Sequence, residues 1–96
     1  MEVIRIDEEK QTTLQLVGWM DTQASSEMTD AVEGLTGDEE KLVLDLEKLE
    51  YISSSGLRQI VAAYKKMKGN MVIRNISDDV LEILKTTGLD KRLTIE

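Results

Sequence analysis

Ser53, Ser54 and Ser55, followed by Gly56, are the residues of this chain best placed to do chemistry. They stand between an apolar run, Leu42-Val-Leu-Asp-Leu46, and a stretch with helical periodicity. A strand that feeds a serine turn that feeds a helix sets a hydroxyl beside unpaired backbone N–H groups and the positive end of a helix dipole. Two chemistries suit such a hydroxyl. It can attack an acyl or phosphoryl centre if a base takes its proton. Or it can accept a phosphoryl group, whose charge the helix terminus tolerates.

The neighbours argue against the first. A nucleophile elbow of the G-x-S-x-G type needs a glycine two residues before the serine, and Ile52 stands there for Ser54. The chain has no histidine to serve as the base. Ser55-Gly-Leu-Arg58 has the spacing of a serine–lysine dyad, but it ends in an arginine, which does not give up its proton. No catalytic residue is assigned, and the protein is expected to work by binding rather than as an enzyme. A helix cap accounts for one serine, most simply Ser54 or Ser55, at about 1 kcal/mol. It does not account for three in a row.

The composition narrows the partners. A net charge of −7 disfavours nucleic-acid backbones and anionic membrane surfaces, so neither nucleic acid nor membrane is an expected partner; a basic patch on another protein is. Without cysteine there is no disulfide framework or thiolate chemistry. Asp38-Glu-Glu40 and Asp78-Asp79 lack the spacing of a calcium loop and read as a solvated loop and a helix first turn. No metal or cofactor is expected. Lys65-Lys-Met-Lys68 reads as a helix end. With no signal-peptide pattern and no long apolar run, a cytoplasmic location is the default.

The elements that must position the serines emerge from periodicity. Residues 1–96 are expected to form one domain. Residues 3–7 and 12–18 alternate apolar and polar side chains, with Asp7-Glu-Glu-Lys10 between them, and read as a β-hairpin ended by Gly18. Residues 22–35 place Met28, Ala31, Val32 and Leu35 at helical spacing, with Asp21 or Thr22 as N-cap. Gly37 to Glu40 reads as a loop. Leu42 to Leu46 is a buried strand. Leu57, Ile60, Val61 and Tyr64 mark a helix over 55–68, closed by Gly69. Met71-Val-Ile73 is a strand. Ser77 caps a helix over 78–87, closed by Gly88, and Leu93 to Ile95 suits a short edge strand. The order β-β-α-β-α-β-α(-β) implies an α/β fold. Its sheet would be mixed and mostly parallel, with four to five strands, crossover helices and an N-terminal hairpin.

A resemblance adds to these readings. Asp45-Leu-Glu-Lys-Leu-Glu-Tyr-Ile-Ser-Ser-Ser-Gly-Leu-Arg58 is similar to the signature of the STAS domain, shared by bacterial anti-sigma factor antagonists and the tails of sulphate transporters. Leu16-Val-Gly-Trp-Met-Asp21 resembles its second-strand motif. Gly69-Asn-Met-Val-Ile73 and Leu84-Lys-Thr-Thr-Gly-Leu89 resemble later landmarks, so the likeness runs through essentially the whole chain. A stand-alone acidic chain resembles the antagonist branch more than a transporter tail. The resemblance implies that the unphosphorylated protein binds an anti-sigma factor, itself an ATP-dependent serine kinase, and so frees a sigma factor. Phosphorylation of the turn switches it off, and a serine phosphatase resets it.

Carried over residue by residue, the phosphoacceptor falls on Ser54, with Gly56 as the turn glycine and Asp21 as the acidic neighbour. Trp19, Asp21, Ser53, Ser54, Ser55, Gly56 and Arg58 make up the expected partner-binding set. Trp19 reads equally well as an anchor for a partner or as a partly buried cap on the sheet edge. Two positions depart from the family pattern. Ser53 stands where aspartate is common, which leaves Ser53 and Ser55 as alternative acceptors. Arg58 stands where the best-known members have glycine; it can pair with Asp21, pair with a phosphate on Ser54, or remain a solvated charge. The alternative to a phosphoswitch is a STAS scaffold or relay module that binds its partner without being phosphorylated.

Overall fold

The computed structural model describes residues 2–21, 25–35 and 40–96. Strands β1 (Glu2–Asp7) and β2 (Thr12–Met20) form the N-terminal hairpin, antiparallel from Glu2 opposite Val17 to Asp7 opposite Thr12. Asp7 closes it. Its carboxylate accepts hydrogen bonds from Arg5 Nε at 2.9 Å and from the buried Thr12 hydroxyl at 3.0 Å, and these, Arg5 first, hold its pKa below the ordinary value.

Beyond the hairpin the chain alternates: α1 (Ser25–Glu33), β3 (Leu42–Asp45), β4 (Leu49–Ile52), α2 (Ser54–Lys66), β5 (Met71–Arg74), α3 (Asp78–Thr87), and a short β6 (Thr94–Ile95) reached through a 3-10 turn over Leu89–Lys91. The sheet order is β1-β2-β3-β5-β6, and every pair after the hairpin is parallel. β4 pairs with the C-terminal part of β2. Six strands, rather than four or five, therefore make up the described sheet.

Side chains alternate faces along a strand, so the parallel registers set Leu14, Leu44 and Ile73 in one row. All three are fully buried. Met28 and Val32 of α1, Leu57, Ile60 and Ala63 of α2, and Val80 and Leu84 of α3 join the same aliphatic core. The next row, Gln15, Asp45 and Arg74, faces the other way and stays partly exposed. There Arg74 Nε meets Glu96 Oε1 at 2.6 Å, which keeps the Glu96 carboxyl below its ordinary pKa.

Helix α3 runs where its sequence directs, whereas α2 spans Ser54–Lys66 with Met67 as its C-cap, short of the expected Gly69. Ser77 Oγ accepts from Val80 N at 3.2 Å, and Gly88 ends α3 in the left-handed conformation at φ 77. Lys66, in the last turn of α2, donates to the carbonyls of Val32 and Glu33 at 3.1 and 3.4 Å and so ties the end of α1 to α2. Asp21 immediately follows β2, while Thr22 and Gly37 to Glu39 lie outside the described residues.

Two expectations need correction. Gly18 does not end the hairpin strand. It sits inside β2 at φ 95, at a register shift, and its N–H donates to the Lys48 carbonyl at 2.8 Å. A bulge bends a strand and re-aims the residues beyond it. Here it carries Trp19 and Met20, past the last β1 pair at Glu2 and Val17, into register with Tyr51 and Ile52 of β4. The passage from Leu46 to Ser53 is likewise not one turn. Leu49 N–H donates to the Leu46 carbonyl at 3.1 Å, and a second short strand leads up to the serines.

Candidate functional site at the start of the second helix

β4 delivers the chain to the serines with Ile52 buried and paired with Met20. Ser53 N–H then donates to the Met20 carbonyl at 2.7 Å, extending the strand pairing by one residue. Ser53 itself is the N-cap of α2. Its backbone is extended (φ −86, ψ 172), and its buried hydroxyl accepts from Gly56 N at 3.3 Å. Ser54 is the first helical residue and is exposed; Ser55 is half-buried. Adjacent residues on a helix point about 100° apart, so three serines in sequence cannot share one environment.

Gly56 explains how closely this helix start lies on the sheet. A Cβ built there would come within 2.7 Å of Ile52 Cγ1 and 2.9 Å of Met20 Cγ. Real side chains do not approach so closely. The requirement is for space alone, since only the bare backbone fits between helix and sheet. Gly56 is buried and so, like Ser53, supports the surface from below.

Truncating the cap gives a measurable consequence. Ser53→Ala should lower stability by about 1 kcal/mol, seen as a fall of roughly 5 °C in Tm for a domain of this size. Ser54→Ala, which removes only an exposed hydroxyl, should stay within about 1 °C. Equal losses from the two variants in thermal unfolding would contradict this division of roles.

Two shallow apolar grooves meet at Ser54. One, of about 490 Å³, lies between α2 and the turn after α3, with Leu57, Val61, Ala62 and Leu89 as its apolar wall and Arg58 and Lys65 beside them. The other, of about 290 Å³, runs toward Tyr51 between α2 and α3, past Ile83, Thr86 and Glu82. At the neighbouring bulge, Trp19 and Tyr51 face each other across the β2–β4 pair, ring centroids 5.1 Å apart and tilted by 34°. Trp19 is 58% exposed and Tyr51 39%. An exposed aromatic pair on a rigid sheet end is a preformed apolar contact.

Of the expected set, Trp19, Asp21, Ser54 and Arg58 are exposed, Ser55 is intermediate, and Ser53 and Gly56 are buried. Arg58 forms no ion pair among the described residues and borders the larger groove with Ser54. Tyr51 and the α3 residues Glu82, Ile83 and Thr87 were not expected at this end. Leu49-Glu-Tyr-Ile52, buried at its two ends and exposed between them, has no alternation that would have singled out Tyr51. Among the described residues there is no group of three or more acidic side chains that could hold a metal, and no helix long and apolar enough to cross a membrane.

A mostly parallel α/β sheet, an N-terminal hairpin and a capped serine turn leading into a close-packed helix define a class, and the sequence places the protein in it. The chain belongs to the STAS domain family, whose sequence model matches residues 3–96. Solved structures share the fold. An anti-sigma factor antagonist from Mycobacterium paratuberculosis superposes with a TM-score of 0.87 at 22% identity, over 98% of this chain and 83% of that one. The anti-sigma factor antagonist SpoIIAA in its unphosphorylated form gives 0.79 at 15%, over 99% and 88%. The Bacillus cell fate determinant SpoIIAA in its phosphorylated form gives 0.67 at 16%, over 99% and 91%. At these identities the likeness is one of fold.

Proposed function

We propose that the protein is an anti-sigma factor antagonist. Unphosphorylated, it binds an anti-sigma factor that is also a serine kinase; phosphorylated on Ser54, it lets go; a serine phosphatase restores it. The observation that carries this reading is the division among the three serines. Ser53 is buried and holds the cap, Ser55 is half-covered, and Ser54 is exposed where two apolar grooves meet. A kinase needs a hydroxyl that can leave the surface far enough to meet the γ-phosphate of ATP, and Ser54 is the freest of the three.

Electrostatics support the same residue. α3 carries Asp78 and Asp79 in its first turn, so its positive end is already complemented; α2 carries no acidic residue in its first turn. A phosphate on Ser54 would supply the missing negative charge, about −1.5 to −2 at pH 7, without disturbing the core. The structures of SpoIIAA in both phosphorylation states share this fold, which is consistent with a switch that leaves the domain folded.

The partner surface comprises Ser54, the exposed edge of Ser55, Arg58, the Trp19–Tyr51 pair and Asp21, with Ser53 and Gly56 holding it from beneath. In phosphoryl transfer, Ser54 Oγ forms the new P–O bond, its proton passes to the kinase, and ADP leaves. Incubation with the cognate kinase and ATP should therefore add one phosphate, mapped by mass spectrometry to Ser54 and abolished by Ser54→Ala. Modification of Ser53 or Ser55 with Ser54 untouched would move the switch to another residue. No phosphate at all, either here or on protein purified from its native host, would favour a scaffold that binds without modification.

A further inference from the structure

Arg58 follows Ser54 by four residues on α2, and both border the larger groove. Residues at this spacing are neighbours on a helix surface, with Cβ atoms about 5–6 Å apart. Side chains lean toward the helix N-terminus, which puts the turn that carries Ser54 within reach of the Arg58 guanidinium. Among the described residues this guanidinium has no ion-pair partner, and it is exposed.

We infer that Arg58 is the internal counter-ion of a phosphate on Ser54, folding that phosphate down along the α2 wall of the groove. The inference rests on the assignment of Ser54 as phosphoacceptor. The order is the favourable one, with the anion N-terminal to the cation, and the planar guanidinium fork suits two phosphate oxygens at once. The other charged side chains bordering the two grooves at Ser54 favour the same direction. Glu82, on α3, repels a phosphate from the far wall and already stands 4.0 Å from Lys85. Lys65 lies nearly two turns beyond Arg58 on α2, out of reach of a group on Ser54.

The switch would then act on the surface in two ways. The phosphate would cover part of the apolar wall formed by Leu57 and Val61, so phosphorylation would alter the shape of the groove as well as its charge. It would also change Arg58 from a free cation available to a partner into one already paired. One modification would thus remove two features of the binding surface.

The test installs phosphoserine at position 54 during translation, so that it does not depend on any kinase. The phosphate is titrated by ³¹P NMR in the otherwise unchanged protein and in its Arg58→Gln, Arg58→Lys and Lys65→Gln variants. Arg58→Gln should raise the second phosphate pKa by about 0.3 unit or more, the size of an i,i+4 ion pair. It should also lower the Tm of the phosphorylated protein by ~2 °C while leaving the unphosphorylated Tm unchanged. Arg58→Lys should fall between, having charge without the fork, and Lys65→Gln should change neither value. The coupling should fade at ~1 M salt.

Equal pKa values with and without Arg58, or a shift that tracks Lys65 instead, would overturn the assignment. So would a phosphorylated protein whose Tm Arg58→Gln leaves unchanged. The reading of function is judged separately, by whether phosphoserine at position 54 weakens association with the anti-sigma factor. Arg58 can prove to be the counter-ion in a protein whose partner ignores the phosphate.

Discussion

A carboxylate at position 54 should lower affinity for the anti-sigma factor at least ~100-fold, a loss of about 3 kcal/mol, while thermal unfolding stays within ~2 °C of the parent. The two halves of this expectation come from the same geometry. Ser54 is exposed at the first helical residue of α2, and that turn holds no acidic side chain. Aspartate there complements the helix dipole and should contribute some tenths of a kcal/mol to the fold. A partner packed over Ser54, Leu57 and the Trp19–Tyr51 pair must strip water from the new charge and supply nothing to replace it.

The loss should appear mainly as faster dissociation, since close packing governs the off-rate more than the encounter. The measurement is a titration of the purified anti-sigma factor against the parent, Ser54→Asp, Ser54→Ala and Glu9→Lys proteins at physiological salt. Glu9 lies in the hairpin turn before β2, and β2 has nine residues rising about 3.3 Å each. It is thus near the opposite end of the sheet and should matter only through salt-sensitive steering. If Ser54→Asp binds as tightly as the parent and Glu9→Lys does not, the interface is elsewhere and the phosphoswitch reading falls with it.

The helices and the parallel strands were legible because each carries its signal within a few residues. Val80, Leu81 and Leu84 come after a serine cap and precede a glycine, and α3 runs between those markers. Leu42, Leu44 and Ile73 are too apolar to be anything but interior. β4 was not legible for a related reason. Leu49-Glu-Tyr-Ile52 is short, half polar, and pairs with residues about thirty positions earlier. Its strand character comes from the bulge at Gly18, which turns the end of β2 to meet it. Nothing local distinguishes a glycine that ends a strand from one that bends it; both use the same positive φ.

The arrangement of the serines was hidden for the same cause. Any of the three can cap, and the sequence pointed most simply to Ser54 or Ser55, whereas the cap is Ser53. The sheet decides it: Met20 takes the N–H of Ser53, and this fixes Ser53 as the last extended residue and Ser54 as the first helical one. The partnership of Trp19 with Tyr51 depends on the same missed strand. Once β4 lies beside β2, two aromatics far apart in sequence become cross-strand neighbours, and the end of the sheet gains an apolar surface.

The largest stability loss should come from Gly56. Gly56→Val is expected to destabilise the protein by about 3 kcal/mol, the upper range for overpacking, or ~15 °C in Tm. Gly56→Ala tests the same contact in a finer way. In an open helix this change would stabilise by about 1 kcal/mol, so any net loss measures the crowding against Met20 and Ile52. The two neighbours differ in what they can yield. Met20 is unbranched and can shift its side chain; Ile52 is β-branched, buried and held in β4. Two of the three nearest atoms belong to Met20, so shortening it should restore part of the loss in a Gly56→Ala, Met20→Ala double variant, with a coupling of about 1 kcal/mol. Shortening Ile52 would chiefly open a cavity. Urea unfolding of the four proteins in the cycle gives the coupling directly. A Gly56→Ala protein more stable than the parent would mean that α2 does not sit against the sheet as described. The position of Ser54 would then lose its anchor, because the close approach at Gly56 is what holds the first turn of α2, and the hydroxyl it carries, at a fixed place above the grooves.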